Sequence, residues 1–429
     1  MSLTSRTRSS LIAILAVAAA VRIAWSVYAA RAPSGSLHDP NFYLLYGEQI
    51  ARGRGYVIPY EQGPTAYYPV GYPIVLAVAN FCLIHTVGNH PVGAAAAINV
   101  VFGVAAVALV FAIGRHLGGD AIGLVAAGIT AVYPNLVYHT AVALTETVFN
   151  TVLLLLVLVV VSGPWTVGRF ERRRLIWVGA LLGACVLIRP VAAPLLGALV
   201  VAWLIAGFGW RRSLSHAAVV LGVAVLVVSP WIVRNIRVMH AVTLSTNTGD
   251  NFCMSRHVGA SGTFEFSDNA CFEGLADLRR PEFETERDSR NRRLALEFVR
   301  DHPVEEVRLW GRRLYHTFKS DWDGVWAVES YGDDPFLSDR AREALRWAGS
   351  DYFLATVALA GAGFVIVARR REERDARWAL LPLAIIATVV VPVVATFGDT
   401  RFHVPALPLI AIGAAVPVVA ARERLRRRA

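Results

Sequence analysis

Long apolar runs separated by short polar stretches recur along the whole 429-residue chain. Many of these runs approach the roughly 20 residues that a helix needs to cross the hydrocarbon core of a bilayer. Only 17% of the residues are charged, well below the share of about 25% in soluble domains. The pattern therefore predicts an all-α polytopic membrane protein with about ten transmembrane helices. The predicted spans are residues 10–30, 92–114, 119–138, 147–163, 175–189, 190–207, 214–233, 351–368, 378–396 and 403–421.

An additional apolar run, residues 69–87, decides the predicted orientation of the chain. Without it as a span, the positive-inside rule is satisfied, because every dense arginine cluster then faces the cytoplasm. If it crossed the membrane, all clusters after the first helix would lie outside. We therefore expect this run to lie along or dip into the outer surface, with both chain termini in the cytoplasm. The clusters are Arg6 with Arg8, the arginines of 169–174, Arg211 with Arg212, those of 369–377, and those of 422–428.

This orientation predicts three regions. Residues 1–233 form an N-terminal transmembrane catalytic module, whose long first external loop, 31–91, carries juxtamembrane helices. Residues 234–350 form a mixed external segment that begins with a strand-like stretch and contains interfacial helices. Residues 351–429 form the last transmembrane helices and a basic cytoplasmic tail. Arg22 interrupts the first apolar run, so we expect an uncleaved anchor and not a removed secretory signal.

One predicted interfacial helix lies in the sequence D-H-P-V-E-E-V-R-L-W-G-R-R-L-Y-H-T-F-K, residues 301–319. An apolar face flanked by arginines is typical of a helix that lies in the plane of the membrane surface. The apolar positions are Leu309, Trp310, Leu314, Tyr315 and Phe318, and the flanking arginines are Arg308, Arg312 and Arg313.

The net charge of +10 does not indicate a nucleic-acid-binding protein. The arginines lie between and after apolar runs, where the positive-inside bias explains them. Cys253 and Cys271 flank a polar stretch of the external segment, where an oxidising compartment permits a disulfide. A disulfide between them and two free thiols both remain open. No spacing of His and Cys residues indicates a zinc site.

Polar residues gather at the predicted outer ends of the helices. Asp39 precedes a stretch in which Tyr43, Tyr46 and Ile50 recur at helical spacing, so Asp39 is predicted either to cap a short helix or to act in catalysis. Glu48 lies on the same helix, and Glu146 begins a later span, where it is either an interfacial polar residue or a functional one. Charged residues at membrane depth are costly and are usually paired or functional.

Three arginines stand on this outer side, against the positive-inside trend: Arg189, Arg234 and Arg401. Each alone is explained as a snorkelling anchor. Together they favour an anion site, because the planar guanidinium donates paired hydrogen bonds to phosphate. The neighbouring polar and aromatic residues are candidates for lining the same cavity: Tyr43, Tyr67, Tyr68, Glu48, Asn235 and Asn247.

Five motifs in order resemble the polytopic GT-C glycosyltransferases, in particular a bacterial branch similar to protein O-mannosyltransferases and the lipid A aminoarabinose transferase. They are the region from Asp39 through P-T-A-Y-Y-P-V-G-Y-P, P-N-L-V-Y-H-T-A-V-A-L-T-E-T, P-W-I-V-R-N with L-S-T-N-T-G-D-N-F, the D-H-P helix, and G-D-T-R-F-H-V-P-A-L-P. The resemblance implies a bacterial inner-membrane enzyme that acts on the outer face and uses a polyprenyl-phosphate-linked sugar. It also implies that Asp39 is the catalytic carboxylate and that Glu146 is the acidic residue of the second external loop.

One departure concerns the donor phosphate. The aminoarabinose branch has a Glu-Lys pair before its paired prolines, whereas the corresponding region here reads E-Q-G-P-T-A-Y-Y-P. No lysine is therefore assigned to the phosphate, and an arginine is expected to take its place. No cofactor is expected with certainty, and no metal ligand set is assigned, although His38 beside Asp39 leaves a divalent metal open.

The predicted reaction is transfer of a hexose or pentose to an acceptor hydroxyl with inversion, and Asp39 is the general base. The acceptor is a glycan, a lipid or a protein. Two alternatives remain: an oligosaccharide ligase that uses a pyrophosphate lipid, and a transporter or flippase of lipid-linked sugars. The long external segments and the lack of visible internal repeats weigh against transport.

Overall fold

The computed structural model describes residues 3–34, 38–59, 63–84, 90–162, 172–265, 271, 281–369 and 381–428, and it is 79% helical. The helices of the first half are α1 (Ser5–Ala29), α2 (Asp39–Ala51), α3 (Gly71–Ile84), α4 (Pro91–Gly118), α5 (Asp120–Ala131), α6 (Pro134–Tyr138), α7 (Glu146–Val161), α8 (Arg172–Ile188), α9 (Leu195–Ile205) and α10 (Trp210–Met239). Those of the second half are α11 (Thr248–Cys253), α12 (Pro281–Asp301), α13 (Pro303–Phe318), α14 (Asp323–Val328), α15 (Asp339–Arg369), α16 (Leu381–Ala387), α17 (Val390–Ala395) and α18 (Leu407–Arg428). Short 3-10 helices occupy His139–Ala141, Pro190–Ala192, Ser330–Gly332 and Thr400–Ala406, and Val57–Ile58 pairs antiparallel with Gly63–Pro64.

Among the described residues, five helices are long and apolar enough to cross a membrane. They are α1, α4, α10, α15 and the helix that runs through the last 3-10 turn into α18. A sixth span is obtained if α5 and the helical residues 134–141, which are bent by 60°, are counted together. These helices identify a multi-pass membrane protein.

Each of the ten predicted spans overlaps with helix in its described part, but the count of ten stays a prediction, because the other helices are shorter. Residues 69–87 contain α3, which packs against α2 and α4. Gly71 allows this helix to approach the end of α8, because a Cβ atom there would lie 2.7 Å from backbone atoms of Leu187 and Ile188. Its expected position along the outer surface also stays a prediction.

The strand-like beginning predicted for the external segment is wrong. Val238 and Met239 belong to α10, and His240 then ends that helix in a left-handed conformation with a φ of 52°. The chain that follows does not pair as a strand, because Thr246 donates its backbone N–H to Ala66 of the first loop. Within the described part of 234–350 the regular elements are all helical, so that part of the segment is not mixed as predicted.

The predicted helix at 301–319 is present as α13, but its apolar positions do not share one environment. Leu309 is buried against the protein, whereas Trp310 and Tyr315 are exposed. Arg313, predicted to flank the apolar face, is fully buried. Part of α13 therefore packs against the protein with charged residues, which a pattern of hydrophobicity does not predict to be buried.

The described part of residues 31–91, the predicted first external loop, forms α2, the short hairpin and α3. The helix predicted after Asp39 is confirmed, although His38 occupies the N-cap position and Asp39 is the first helical residue. Tyr43 and Tyr46 are buried on the inner face of this helix. Cys253 and Cys271, whose pairing the sequence left open, form a disulfide.

Candidate active site

Four charged residues from distant parts of the sequence form one chain of ion pairs. The guanidinium of Arg401 donates from Nη1 to Asp39 Oδ2 and from Nε to Glu146 Oε1. Arg189 donates from Nη1 to the same Glu146 oxygen at 2.6 Å. The structure thus brings together both predicted catalytic carboxylates and two of the three arginines predicted to bind phosphate.

The four side chains differ in how much of each is exposed to solvent. Glu146 is fully buried, and Arg189 and Arg401 are 10% and 16% exposed. Asp39 is 30% exposed, the largest value in the chain of ion pairs. The carboxylate of Asp39 is therefore open to solvent, while Glu146 is enclosed with the two arginines that hold it.

Helix ends position both carboxylates. Asp39 is the first residue of α2, and Glu146 is the first residue of α7. The unpaired N–H groups and the macrodipole at a helix N-terminus favour negative charge. Arg401 lies in the 3-10 turn that follows Asp399, whose carboxylate accepts the backbone N–H of Arg401 at 2.9 Å. This contact fixes the backbone of the residue that links the two acids.

Aromatic residues of the first external loop complete one side of the site. Tyr68 donates its hydroxyl to Asp39 Oδ1 at 2.6 Å, so Asp39 receives one hydrogen bond on each carboxylate oxygen. The ring of Tyr43 packs against that of Tyr68 with centroids 5.0 Å apart. Both rings are buried. The predicted site residues Tyr43 and Tyr68 therefore contact the cluster or the residue that orients it.

An apolar cavity opens beside this cluster. Its walls come from α7, α9, α16, α17 and two 3-10 turns, one of which follows Arg189 while the other contains Arg401. Arg189 carries the only charge among the lining residues of the described chain. The remaining lining residues are Phe149, Leu153, Val191, Ala192, Leu195, Ile385, Thr388, Val389, Pro392, Phe402, Pro405 and Ala406. The arrangement is that of an apolar groove with one cation at its polar end.

Several residues at the site were not selected from the sequence. Asp323 and Asp399 are near neighbours, and burial together with the charge of Asp399 raises the pKa of Asp323 well above its ordinary value. Burial likewise raises the pKa of Asp399. His139 is buried with its Nε2 atom 3.6 Å from Asp323 Oδ2. Such a set of neighbouring acids is typical of functional sites, where ionisation is shifted from its usual range.

Tyr331 is a further residue that the sequence did not reveal. Its backbone has a φ of 56°, a conformation that non-glycine residues adopt at a cost of about 1–3 kcal/mol. Its hydroxyl is buried and has no hydrogen-bond partner among the described residues. Burial raises its pKa, and Arg401 and Asp39 are among the charges that act on it. A strained residue with an unpaired buried hydroxyl beside two charged groups is a candidate for contact with a substrate.

A second polar network supports the site. Asp321 accepts hydrogen bonds from Asn135 Nδ2 and from His403 Nε2, the latter at 3.0 Å. The ring of His403 stacks on Phe353 with centroids 4.6 Å apart. Asn135 and His403 belong to two of the motifs that carried the resemblance, so these motifs hold helices together in addition to supplying charged residues.

Other predicted site residues lie away from the ion-pair chain. Arg234 donates to the backbone oxygens of Thr65 and Tyr56 and lies over the ring of Trp231 at 5.0 Å, so it supports the first loop. Asn235 donates to Thr243 O at 2.8 Å.

Three more candidates have local partners. Glu48 pairs with Arg52 on the surface of α2 at 2.7 Å. Tyr67 donates to Asp250 at 2.8 Å, and Asn247 occupies the N-cap position of α11 without a side-chain cap bond. In the part of the chain that is described, no group of three or more His, Cys, Asp or Glu residues could hold a metal ion.

Residues 75–233 match the family model described as dolichyl-phosphate-mannose-protein mannosyltransferase. No curated protein sequence matches the chain. The fold is similar to that of an oligosaccharyltransferase of Archaeoglobus fulgidus solved with zinc and sulfate, with a TM-score of 0.54, 16% identity and coverage of 97% of this chain and 50% of that one. The Archaeoglobus fulgidus enzyme solved with an inhibitory peptide and a dolichol-phosphate gives a TM-score of 0.55 at 14% identity, with 99% and 52% covered. ArnT of Cupriavidus metallidurans, bound to undecaprenyl phosphate, gives a TM-score of 0.44 at 13% identity, with 96% and 79% covered.

The family-model match confirms the resemblance that the sequence motifs predicted, and the fold similarity to the oligosaccharyltransferase agrees with it. At such identities the structural similarity concerns the fold. The chain spans about half the length of the oligosaccharyltransferase chains that it matches.

Proposed function

We propose that this protein is a glycosyltransferase that moves a sugar from a polyprenyl-phosphate-linked donor to an acceptor hydroxyl. The observation that carries the proposal is the position of the ion-pair chain beside the apolar cavity. A partly exposed carboxylate, Asp39, and a cationic cavity wall, Arg189, are joined through Arg401 and Glu146. A lipid-borne sugar phosphate requires these features together.

The donor occupies the apolar cavity in this proposal. Its first isoprene units pack against the side chains of α7, α16 and α17, where apolar surface is removed from water. Its phosphate meets Arg189, because the guanidinium fork suits a phosphate group and the other lining residues are uncharged. The phosphate role predicted for Arg234 is not part of this proposal, because that arginine is engaged by backbone carbonyls of the first loop.

The reaction then proceeds as a single displacement at the anomeric carbon. Asp39 takes the proton of the acceptor hydroxyl while the hydroxyl oxygen forms a bond to the anomeric carbon. The bond between that carbon and the phosphate oxygen breaks, and the phosphate leaves with the electron pair. Arg189 and Arg401 stabilise the charge that develops on the phosphate. Attack opposite the leaving phosphate inverts the configuration of the sugar.

Glu146 and Tyr68 orient the reacting groups in this scheme. Glu146 fixes both arginines, and Tyr68 fixes one oxygen of Asp39. Pre-organised charges of this kind lower a barrier because they need no rearrangement as the reaction proceeds. We place the enzyme in a bacterial inner membrane with its site on the outer face, in keeping with the distribution of arginine clusters.

The test is to incubate purified protein with a panel of polyprenyl-phosphate hexoses and pentoses and a cell-envelope extract as acceptor, and to measure free polyprenyl phosphate. We expect release with at least one donor, together with transfer of its labelled sugar to the extract. A parallel panel of polyprenyl-pyrophosphate oligosaccharides distinguishes the proposed transferase from an oligosaccharide ligase, which would use these donors. Release only from the pyrophosphate donors, or labelled lipid crossing vesicles without bond cleavage, would overturn the proposal.

A further inference from the structure

Outside the ion-pair chain, the described structure contains a buried carboxylate that accepts hydrogen bonds from the first external loop. Glu284 of α12 is only 3% exposed. Its Oε1 atom accepts from the hydroxyl of Thr65 at 2.7 Å, and its Oε2 atom accepts from the backbone N–H of Ala66 at 3.0 Å. Burial raises the pKa of Glu284, so the charged carboxylate is costly there. Each oxygen of the Glu284 carboxylate thus accepts a hydrogen bond from one of two adjacent loop residues.

Those two residues lie directly before the tyrosines of the site. The hydroxyl of Thr65 also accepts the backbone N–H of Tyr67 at 3.0 Å, which closes a turn just ahead of Tyr68. Tyr68 then donates to Asp39 at 2.6 Å. Three steps therefore separate Glu284 from the carboxylate proposed as the base: Glu284 to Thr65 and Ala66, the turn at Tyr67, and Tyr68 to Asp39.

The surrounding contacts keep α12 in place against this loop. Tyr67 donates to Asp250 of α11 at 2.8 Å, and Arg287 and Asn291 of α12 donate to the same carboxylate. Gly249 permits the close approach of α11 and α12, because a Cβ atom there would lie 2.1 Å from the backbone oxygen of Asp288. Helices α11 and α12 thus hold residues 65–67 through Asp250 and Glu284.

We propose that Glu284 is a positioning residue, which holds residues 65–67 so that Tyr68 orients Asp39 for catalysis. The inference rests on the proposed function of Asp39. A side chain that only stabilised the fold would act on the amount of folded protein. A positioning residue acts on the rate of the chemical step through Tyr68.

The test is a double-mutant cycle of Glu284→Gln and Tyr68→Phe. Glutamine keeps the shape of Glu284, but its amide nitrogen cannot accept the second hydrogen bond. We expect kcat to fall about 10-fold to 100-fold in Glu284→Gln, as for a misplaced catalytic group, with an unchanged KM for the donor. In the double variant kcat should be no lower than in Tyr68→Phe, because both changes break the same path. Glu286→Gln, an exposed change on the same helix, is the matched control and should leave kcat at the wild-type value.

Multiplicative losses in the double variant would overturn the inference, as would a normal kcat in folded Glu284→Gln protein. Hydrogen–deuterium exchange across residues 63–72 gives a readout that does not depend on activity. We expect faster exchange in Glu284→Gln than in wild type or Glu286→Gln, and unchanged exchange would also overturn the inference. If the wild type transfers no sugar but the exchange result holds, the proposed function fails while the contact between α12 and the loop stands.

Discussion

In two of the buried charge clusters in the described part of this protein, two arginines share one glutamate, and these two clusters differ in what surrounds them. In the first, Arg401 and Arg189 share Glu146, and Arg401 extends to the partly exposed Asp39. In the second, Arg256 and Arg313 share Glu306. Buried charge alone therefore does not identify the reactive site.

The second cluster joins α13 to the turn after α11 and to the end of α17. Glu306 accepts from Arg256 at 2.8 Å and from Arg313 at 2.7 Å. The two arginines also donate to the backbone oxygens of Ala395 and Val394. These contacts tie helices to one another. None of the three charged residues lines the cavity beside Arg189.

The difference lies in access to a ligand. The Asp39 cluster meets an apolar cavity and has the unpaired hydroxyl of Tyr331 nearby, whereas the Glu306 cluster is surrounded by backbone oxygens. Removing an arginine from either cluster takes a cation from a buried glutamate, and breaking a buried ion pair in this way typically costs about 3–5 kcal/mol. Only in the first cluster do we expect the chemistry to disappear as well.

The largest combined effect on activity and stability is expected for Arg401→Met, which removes the residue that links both carboxylates. We expect sugar transfer to fall by at least about 100-fold, as when one charge-stabilising donor is removed from a catalytic site. Stability should also fall, because Asp39 loses its cation and Glu146 retains only Arg189. Transfer assays and thermal unfolding in detergent measure the two effects. Arg401→Lys keeps the charge without the two-pronged geometry and should retain part of the stability, and an active Arg401→Met protein would remove the distinction between the clusters.

Arg313→Met is the corresponding change in the second cluster. We expect stability to fall by about 3–5 kcal/mol, since Glu306 and two backbone oxygens lose a buried donor. The folded fraction should transfer sugar at close to the wild-type rate, as measured by normalising activity to protein that remains monodisperse. A loss of kcat larger than the loss of folded protein would assign this cluster to the site.

Asp323→Asn tests the electrostatics beside the ion-pair chain through pH. Burial and the charge of Asp399 raise the pKa of Asp323, so the folded protein holds this proton more tightly than the unfolded chain. The contribution of Asp323 to the free energy of unfolding should therefore fall as pH rises above the ordinary Asp pKa of about 3.9. Asparagine removes this contribution, so the variant should gain in Tm over wild type towards pH 7 and match it near pH 4. A Tm difference that does not change with pH would contradict this expectation.

Glu48→Gln should have the smallest effect. Glu48 pairs with Arg52 at the surface of α2, and exposed pairs of this kind contribute about 0–1 kcal/mol. We expect unchanged transfer and a nearly unchanged Tm, measured beside Arg401→Met in the same membranes. A defect in transfer would place Glu48 in the substrate cavity after all.

The hydrophobic pattern was sufficient for most helices and insufficient where polar contacts determine the structure. Apolar runs predicted the positions of the long helices, because the bilayer requires continuous apolar surface. The strand-like stretch at 238–247 failed, because its backbone bonds to the first loop instead of to a neighbouring strand. On α13 the buried face holds Glu306 and Arg313, which no pattern of hydrophobicity selects.

The candidate site was predictable to the extent that its residues interrupt or border apolar runs. Asp39, Glu146, Arg189 and Arg401 stand out for that reason, and the structure brings them together. The same signal also selected Arg234, whose role in the structure is to hold backbone oxygens of the first loop.

Asp323 and Tyr331 were missed because they lie in the external segment, where a polar residue is ordinary. Only the fold shows that Asp323 is buried beside Asp399 and that Tyr331 is strained. Such properties depend on contacts between residues far apart in sequence, which no local pattern contains.

The most direct measurement of the central claim is the transfer rate of Asp39→Asn with a donor that the wild type uses. Asparagine preserves the size of the side chain and its place at the start of α2, but it cannot take the acceptor's proton. We predict a loss of about 100-fold to 10,000-fold, the usual contribution of a general base, with expression and Tm close to wild type. Wild-type turnover in the folded Asp39→Asn protein would contradict the account.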